Sequence, residues 1–507
     1  MQKFPYGISN FHRIITEKFF YVDRTNHIRL IEEAGDQLLF LRPRRFGKSL
    51  VISMLENYYD IAKADEFDQL FGDLAIGKNP TPKHNQYFVM KWDFSNISPK
   101  GDAEQIEQRL NHYINRCMKI FANKYRSLLP NEIDLDSNDP IDSFLALVSV
   151  VQKTPYRLYL LIDEYDNFAN EVMMARTDLN PINYNALISA ESSLKALFKT
   201  VKSAASGQGL ERVFITGVSP VLLTDITSSY NVATDIYLRP KFNDLCGFTE
   251  AEIKDIVSKI VKECEFENDR MTFALRIMKT FYDGYRFSEM SEEDIYNPTL
   301  ALYFLTYFQE YCEFPRMMLD NNLAMDRNKL GYISRLLIDD KLLFQALNEN
   351  PPLSLLELAN RFGLQDMLSN TAKDDGFIIS LLYYLGILTL NGENELGELR
   401  FKIPNLVVRK LYVERLFETF LPEDTERYRV QQQAKDFYQS GDLQPICDFM
   451  EQRYFRVFDN RDYKDANELT IKTAFLTVLY DDVFYVMDSE LPLERRYADL
   501  TMIGLTH

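Results

Sequence analysis

The first half of the chain alternates short apolar runs with longer stretches of helical spacing. Residues 37–41 (Gln-Leu-Leu-Phe-Leu), 87–93, 157–162 and 212–216 are nearly continuous in apolar character and too short for helices. Such runs suit strands buried on both faces. Between them, residues 49–58, 102–122 and 185–203 repeat apolar positions at helical intervals. Strands alternating with helices predict a mainly parallel sheet with helices on both faces. From about Gly247 the pattern turns mostly helical, and Thr249 with Glu252 three positions on marks a capped helix start. The Tyr296-Asn-Pro segment opens another helix. Further on, residues 379–384 read as a helix, and 387–390 and 399–403 as two strands. The turn between them is Asn391-Gly-Glu-Asn, an Asn-Gly hairpin signal. With a helix over 405–420, this sequence of elements predicts a small winged-helix-like unit.

Composition narrows the classes. The 507 residues are 46% hydrophobic and 26% charged, ordinary for a globular chain and enough for several domains. The formal net charge of −18 argues against broad nucleic-acid coating but leaves room for a local basic groove. The longest apolar run, 377–390, is shorter than the roughly 18 residues a membrane helix needs, and no secretory h-region follows Met1. A soluble cytoplasmic protein without membrane association is therefore expected. Cys117, Cys246, Cys264, Cys312 and Cys447 are scattered without metal-ligand spacing, which reads as reduced thiols.

The chemistry concentrates at two strand ends. Arg42-Pro-Arg-Arg-Phe-Gly-Lys-Ser49 matches the phosphate-loop pattern GxxxxGK[ST] except that Arg42 replaces the first glycine. Backbone N–H groups over Arg44, Arg45, Phe46, Gly47, Lys48, Ser49 and Leu50 would surround the phosphates. Lys48 would reach the β and γ phosphates, and the Ser49 hydroxyl would ligate Mg²⁺. The 157–162 run leads into Asp163-Glu164. Asp163 is placed to hold Mg²⁺ and Glu164 to orient or deprotonate the attacking water. At the end of the next strand, Thr216 or Ser219 is a candidate for the γ phosphate. The expected cofactors are ATP and Mg²⁺.

With these motifs in view, the Arg-Pro-Arg-Arg-Phe-Gly-Lys-Ser-Leu run, Tyr21-Val-Asp-Arg-Thr and Leu-Leu-Ile-Asp-Glu-Tyr-Asp resemble the bacterial AAA-ATPase-like family. Tyr282-Asp-Gly-Tyr-Arg-Phe and Tyr296-Asn-Pro are similar to it as well. In that family the first loop position is often Arg. The resemblance implies a P-loop ATPase domain over 1–245 and a helical lid over 246–330. A helical and winged-helix-like region over 331–425 and a nuclease-like domain over 426–507 follow. It places residues 21–25 beside the nucleotide base, and it implies that hydrolysis needs self-association, a homo-oligomer, or another partner. Arg239 reads as a solvated or structural arginine.

Members of the family carry a C-terminal nuclease domain of the PD-(D/E)XK superfamily, whose carboxylates hold Mg²⁺. On that resemblance Glu468 and Asp499 take the first two motif positions. No Glu-x-Lys follows Asp499 before His507, so the expectation is a fragment or a variant whose nuclease centre has decayed. The upstream Glu252-Ile-Lys254 reads as a solvated helix face. Nucleic acid is a partner implied by the resemblance, with Arg409-Lys410 and Arg495-Arg496 as its weak local support.

Overall fold

The computed structural model describes residues 2–98, 103–136, 138–167, 181–220, 233–315, 317–318, 341–348, 352–359, 362, 374–410, 412, 423–449, 451, 479, 485–488, 491–493, 496–498 and 501–504. Five parallel strands form the central sheet: β1 (Gln37–Leu41), β2 (Tyr87–Asp93), β3 (Arg157–Asp163), β4 (Leu210–Gly217) and β5 (Thr234–Asp235). Their spatial order is β2-β3-β4-β1-β5. The four longer strands fall within two residues of their expected bounds, because burial on both faces demands the continuous apolar runs seen in the sequence. The two-residue β5 is too short to leave a pattern.

Among the helices flanking this sheet are α1 (Phe11–Thr16), α2 (His27–Ala34), α3 (Lys48–Tyr59), α4 (Ala103–Lys124), α5 (Pro140–Gln152) and α6 (Pro181–Ala205). α3 packs with α1 and against β2 and β3. α4, α5 and α6 pack on one another and against β2, β3 and β4. The sheet core continues into the later chain, where Leu381, Tyr384 and Phe401 join the cluster that holds Phe40, Leu160 and Phe214.

A second core lies in helices α7 (Glu250–Glu263), α8 (Asn268–Tyr282) and α9 (Pro298–Tyr311). Ile256, Ile260, Phe281, Phe304 and Phe308 fill it, and Phe4, Phe20 and Val22 of the N-terminal segment pack against it. Thr249 and Glu252 form the expected capping box, and Asn297 caps α9 with Pro298 in its first turn. Glu252 is not a solvated residue. Its carboxylate also takes the Arg24 guanidinium at 2.5 and 2.7 Å, tying the N-terminal segment to α7.

The expectation of reduced thiols fails at one pair. Cys264 and Cys312 form a disulfide, with Cα atoms 5.7 Å apart. These residues cap the C-terminal ends of α7 and α9, which are brought together by packing and not by any sequence spacing. Cys117, Cys246 and Cys447 are free.

Beyond this core, β6 (Leu353–Leu355), β7 (Thr389–Glu393) and β8 (Leu399–Lys402) form a three-stranded antiparallel sheet ordered β6-β8-β7, and α10 (Asp375–Tyr384) lies between β6 and β7 in the chain. The helix-and-hairpin expectation is met, with one correction. Asn391-Gly392 is not the hairpin tip but an irregularity in β7, where the register shifts between Leu390 and Glu393. The tip lies at 394–398, because the Asn394 side chain accepts from the N–H groups of Leu396 and Glu398 and closes that turn itself. Residues 406–410 are helical. Gly284 joins this unit to α8: with φ at 92°, a Cβ there would lie 1.9 Å from the Pro404 carbonyl oxygen.

Near the C-terminus β9 (Tyr485–Asp488) pairs with β12 (Thr501–Gly504), and β10 (Leu491–Leu493) with β11 (Arg496–Ala498), both antiparallel. Glu468 and Asp499 lie outside the described residues. Among the described residues no helix is long and apolar enough to cross a membrane.

Two measurements follow from the helical core. The disulfide closes a loop across a separation of 48 residues, for which chain entropy gives about 4 kcal/mol of stabilisation. Cys264→Ser/Cys312→Ser should lower the unfolding temperature of this part in calorimetry. A thiol reductant should do the same to the wild type and nothing to the double variant; superimposable scans would refute the stabilising role. Asp283, at the end of α8, is buried, and its Oδ1 has no hydrogen-bond partner among the described residues. Burial first, then Asp294 and Glu250, push its carboxyl up to about 6, against the Gly284 N–H and Lys279. Its contribution is full below the unfolded value near ~3.9 and is lost as pH rises through about 6. Asp283→Asn should therefore raise the unfolding temperature at pH 7 and flatten its fall between about pH 4 and 6.

Candidate functional site

β1 ends between β4 and β5, and the chain turns through residues 42–47 into α3. Arg45 (φ 68°) and Gly47 (φ 93°) adopt left-handed backbone in this turn, whereas Arg42 does not. A side chain at position 42 is therefore free of the backbone constraint that calls for glycine. It enters the core. The guanidinium lies 4.5 Å from the Phe40 ring centroid and 4.0 Å from that of Phe287, and donates to the carbonyls of Leu41, Tyr237 and Phe242. Burial lowers its pKa to about 10, so it stays cationic at neutral pH.

Lys48 opens α3, and its ammonium donates to the carbonyl oxygens of Arg42 and Pro43, each at 3.0 Å. Burial pushes its pKa down, while Glu164, Asp166 and Asp163 oppose that shift. Ser49 follows half-buried in the first helical turn. Phe46 is fully buried, edge-on to Tyr285 and Phe287 with centroids 4.8 and 5.1 Å away. The Arg45 carbonyl accepts from the Thr299 hydroxyl at 2.7 Å. The loop is thus held from above by α9 and by the Tyr285–Phe287 segment. Arg44 instead reaches Asn167, donating to its Oδ1 at 2.9 Å.

Parallel pairing of β3 with β4, Ile162 opposite Ile215, brings Asp163 beside Thr216. The Thr216 hydroxyl donates to Asp163 Oδ1 at 2.6 Å, and both residues are buried. Glu164 follows in left-handed backbone (φ 51°), a conformation that costs energy for a side chain with a Cβ. Burial raises its carboxyl above the ordinary range, Lys48 pulls it back, and Asp163 and Asp166 push it further up.

A cavity of about 340 Å³ opens beside the loop. Gly47, Lys48, Ser49, Arg45, Phe46, Leu50 and Glu164 line it, together with the apolar Ile8, Phe20, Val22, Met54, Phe248 and Leu302. Of the segment expected near a nucleotide base, Tyr21, Val22 and Arg24 line the cavity. Thr25 is buried and bonded to Asp23. Arg44, Asp163 and Thr216 are not among the lining side chains, so Thr216 is committed to Asp163 and not exposed to a ligand. The Ser49 hydroxyl and the second oxygen of Asp163 are hard donors of the kind Mg²⁺ takes together with phosphate oxygens. No group of three or more His, Cys, Asp or Glu among the described residues is arranged to hold a metal by itself.

The site contains residues that the sequence reading passed over. Tyr165, Asp166 and Asn167 are buried directly after Glu164, and Phe248, Thr299 and Leu302 reach the cavity from the helical core. The adjacency of Tyr165 and Asp166 to Asp163-Glu164 was the available signal; the other three come from far along the chain. Arg239 is exposed. Arg409 is not: it is buried, and its guanidinium donates to the Leu347 carbonyl, which removes it as part of a basic groove.

Over 520 aligned residues the chain is 22% identical to an uncharacterized protein in the vnfD 5′ region of Azotobacter chroococcum mcd 1, covering 99% of this chain and 86% of that protein. Among solved structures it is similar to the Aeropyrum pernix ORC1 protein in complex with DNA, at 13% identity and a TM-score of 0.26, over 78% of this chain and 93% of that one. Residues 5–227 match the model of a family described as a predicted AAA-ATPase, and the match supports nucleotide binding by this part of the chain.

Proposed function

We propose that residues 1–245 bind and hydrolyse ATP with Mg²⁺, and that the helical region 246–330 and the winged-helix-like region 331–425 respond to the bound nucleotide. The observation that carries this reading is that the loop after β1 and Glu164 after β3 line one cavity, with Asp163, next to Glu164, held by Thr216 at the end of β4. The 42–49 loop follows β1, the Asp163-Glu164 pair ends β3, and Thr216 on β4 is bonded to that pair. The apolar lining from Phe20, Val22, Met54 and Phe248 suits a base, and the loop N–H groups at the start of α3 suit phosphates.

In this reading Lys48 exchanges the Arg42 and Pro43 carbonyls for phosphate oxygens, a swap favoured because its buried ammonium then faces full negative charge. Ser49 and Asp163 are the residues that would hold the Mg²⁺ of the nucleotide, which would offset charge on the transferring phosphoryl group. Thr216 holds the Asp163 carboxylate in one orientation. Glu164, beside Lys48 in the cavity wall, orients the attacking water and accepts its proton. A second reading, a nucleotide-dependent switch with negligible turnover, is favoured by the grip of Thr299, Tyr285 and Phe287 on the loop. Both readings concern the nucleotide site alone; Glu468 and Asp499 lie outside the described residues.

Steady-state ATP turnover with Mg²⁺ separates the two. Lys48→Ala should abolish turnover and weaken ATP binding. Glu164→Gln should cut turnover by about 100-fold or more while still binding ATP. Turnover should be followed across protein concentration, because completion of the site by a neighbouring copy would make it rise more than linearly. Wild-type turnover no higher than that of Lys48→Ala, with tight ATP binding, would establish the switch. A second expectation concerns pH. Glu164 must be ionised to take a proton, so kcat should fall with acidification along a limb lying above the ordinary glutamate value of about 4.3. A limb at or below that value would remove Glu164 as the base.

A further inference from the structure

We propose that Asp166 and Tyr165 are positioning residues that lock the turn after β4, and that through this turn they fix Thr216 against Asp163 and anchor the start of the phosphate loop. The proposal rests on the hydrolysis reading above. Asp166 is fully buried, and its carboxylate accepts from the backbone N–H of Val218 (3.1 Å), the N–H of Ser219 (2.8 Å) and the Ser219 hydroxyl (3.1 Å). Tyr165, also buried, donates its hydroxyl to the Ser219 carbonyl, and its own N–H bonds to the Thr216 carbonyl at 3.1 Å. The contact is close. A Cβ on Gly217 would lie 2.4 Å from the Tyr165 ring and 2.7 Å from an Asp166 oxygen, so only glycine fits between them.

This turn has two other attachments. Immediately before it, Thr216 donates to Asp163, and the Gly217 carbonyl accepts from the Arg42 N–H at 3.2 Å. Residues 216–219 therefore join the end of β3 to the first residue of the loop, and Asp166 supplies three of the bonds that set their position. A buried carboxylate receiving backbone N–H groups makes stronger bonds than a neutral acceptor. An amide in its place keeps one acceptor oxygen and turns an NH₂ group toward donors, leaving buried N–H groups unpaired. Movement of Thr216 by a fraction of an ångström would release the Asp163 carboxylate from its single orientation, which phosphoryl transfer punishes heavily.

The test is a double-mutant cycle on the full chain with Asp166→Asn, Thr216→Ala and the pair, with Thr216→Ser as the conservative control. Each variant is measured for kcat, for ATP affinity in Mg²⁺ and in EDTA, and for unfolding temperature. Asp166→Asn and Thr216→Ala should each lower kcat by about 10-fold or more while ATP affinity in EDTA changes less than about 3-fold. The pair should be no worse than the worse single variant. Thr216→Ser should stay near wild type. Losses that multiply in the pair, or kcat unchanged in Asp166→Asn, overturn the proposal. If Asp166→Asn does not fold, Tyr165→Phe, which removes one hydroxyl bond, takes its place in the same cycle with the same criteria. If the wild type binds ATP without turnover, the hydrolysis reading falls and the affinity ratio decides. The strengthening of ATP binding by Mg²⁺ should shrink in Asp166→Asn as it does in Thr216→Ala, and an unchanged ratio overturns the positioning role. A wild type that binds no nucleotide overturns both.

Discussion

β4 runs parallel between β1 and β3, and that placement is the constraint on which the rest of the site depends. Parallel strands present all their C-terminal ends at one edge, so chemistry written at three distant points of the chain arrives in one place. The register pairs Phe40 with Thr216 on one side and Ile162 with Ile215 on the other. A one-residue slip of β4 would turn Thr216 to the opposite face and break its bond to Asp163. The apolar side chains of all three strands oppose such a slip, since every residue of β4 except Glu211 is buried. Ordinary burial energy in the sheet thus holds polar groups in an arrangement they would not keep alone.

Arg42 shows the same economy. A guanidinium buried between two aromatic rings and bonded to three carbonyls holds β1's end, the segment after β5 and Phe287 together. Lysine could not replace it, having no planar group to stack and no fork to reach carbonyls on both sides. The loop is consequently fixed at its base by the core and at its crest by Thr299 and Tyr285, and Gly386 passes so close to Pro43 that an added Cβ would lie 2.7 Å from its ring. The loop therefore touches both the helical core and the segment that carries α10.

Much of this was legible beforehand because burial writes itself into sequence. The strands ending in Leu41, Asp93, Asp163 and Gly217 are continuous apolar runs, and the Gly-Lys-Ser and Asp-Glu pairs sit at their ends. The capping box at Thr249 and Glu252 is a local rule and was equally plain. What stayed hidden is what depends on distant chain meeting in space. Glu252 looked solvated because nothing near it in sequence announces Arg24. Arg409 looked like half of a basic pair because its acceptor, Leu347, is far upstream. The Cys264–Cys312 bond is invisible to spacing arguments for the same reason. Asn391-Gly392 was misread locally, since Asn394 offered a competing turn whose side chain satisfies two N–H groups.

The disulfide also has a mechanical side. It joins α7 and α9 at the ends away from the cavity, while the residues leading into α7, Gly247 and Phe248, and the first turn of α9, Pro298 and Thr299, line it. A covalent tie at the far ends leaves the ends at the cavity held together by non-covalent packing alone, so the two helices meet the cavity through their less constrained ends.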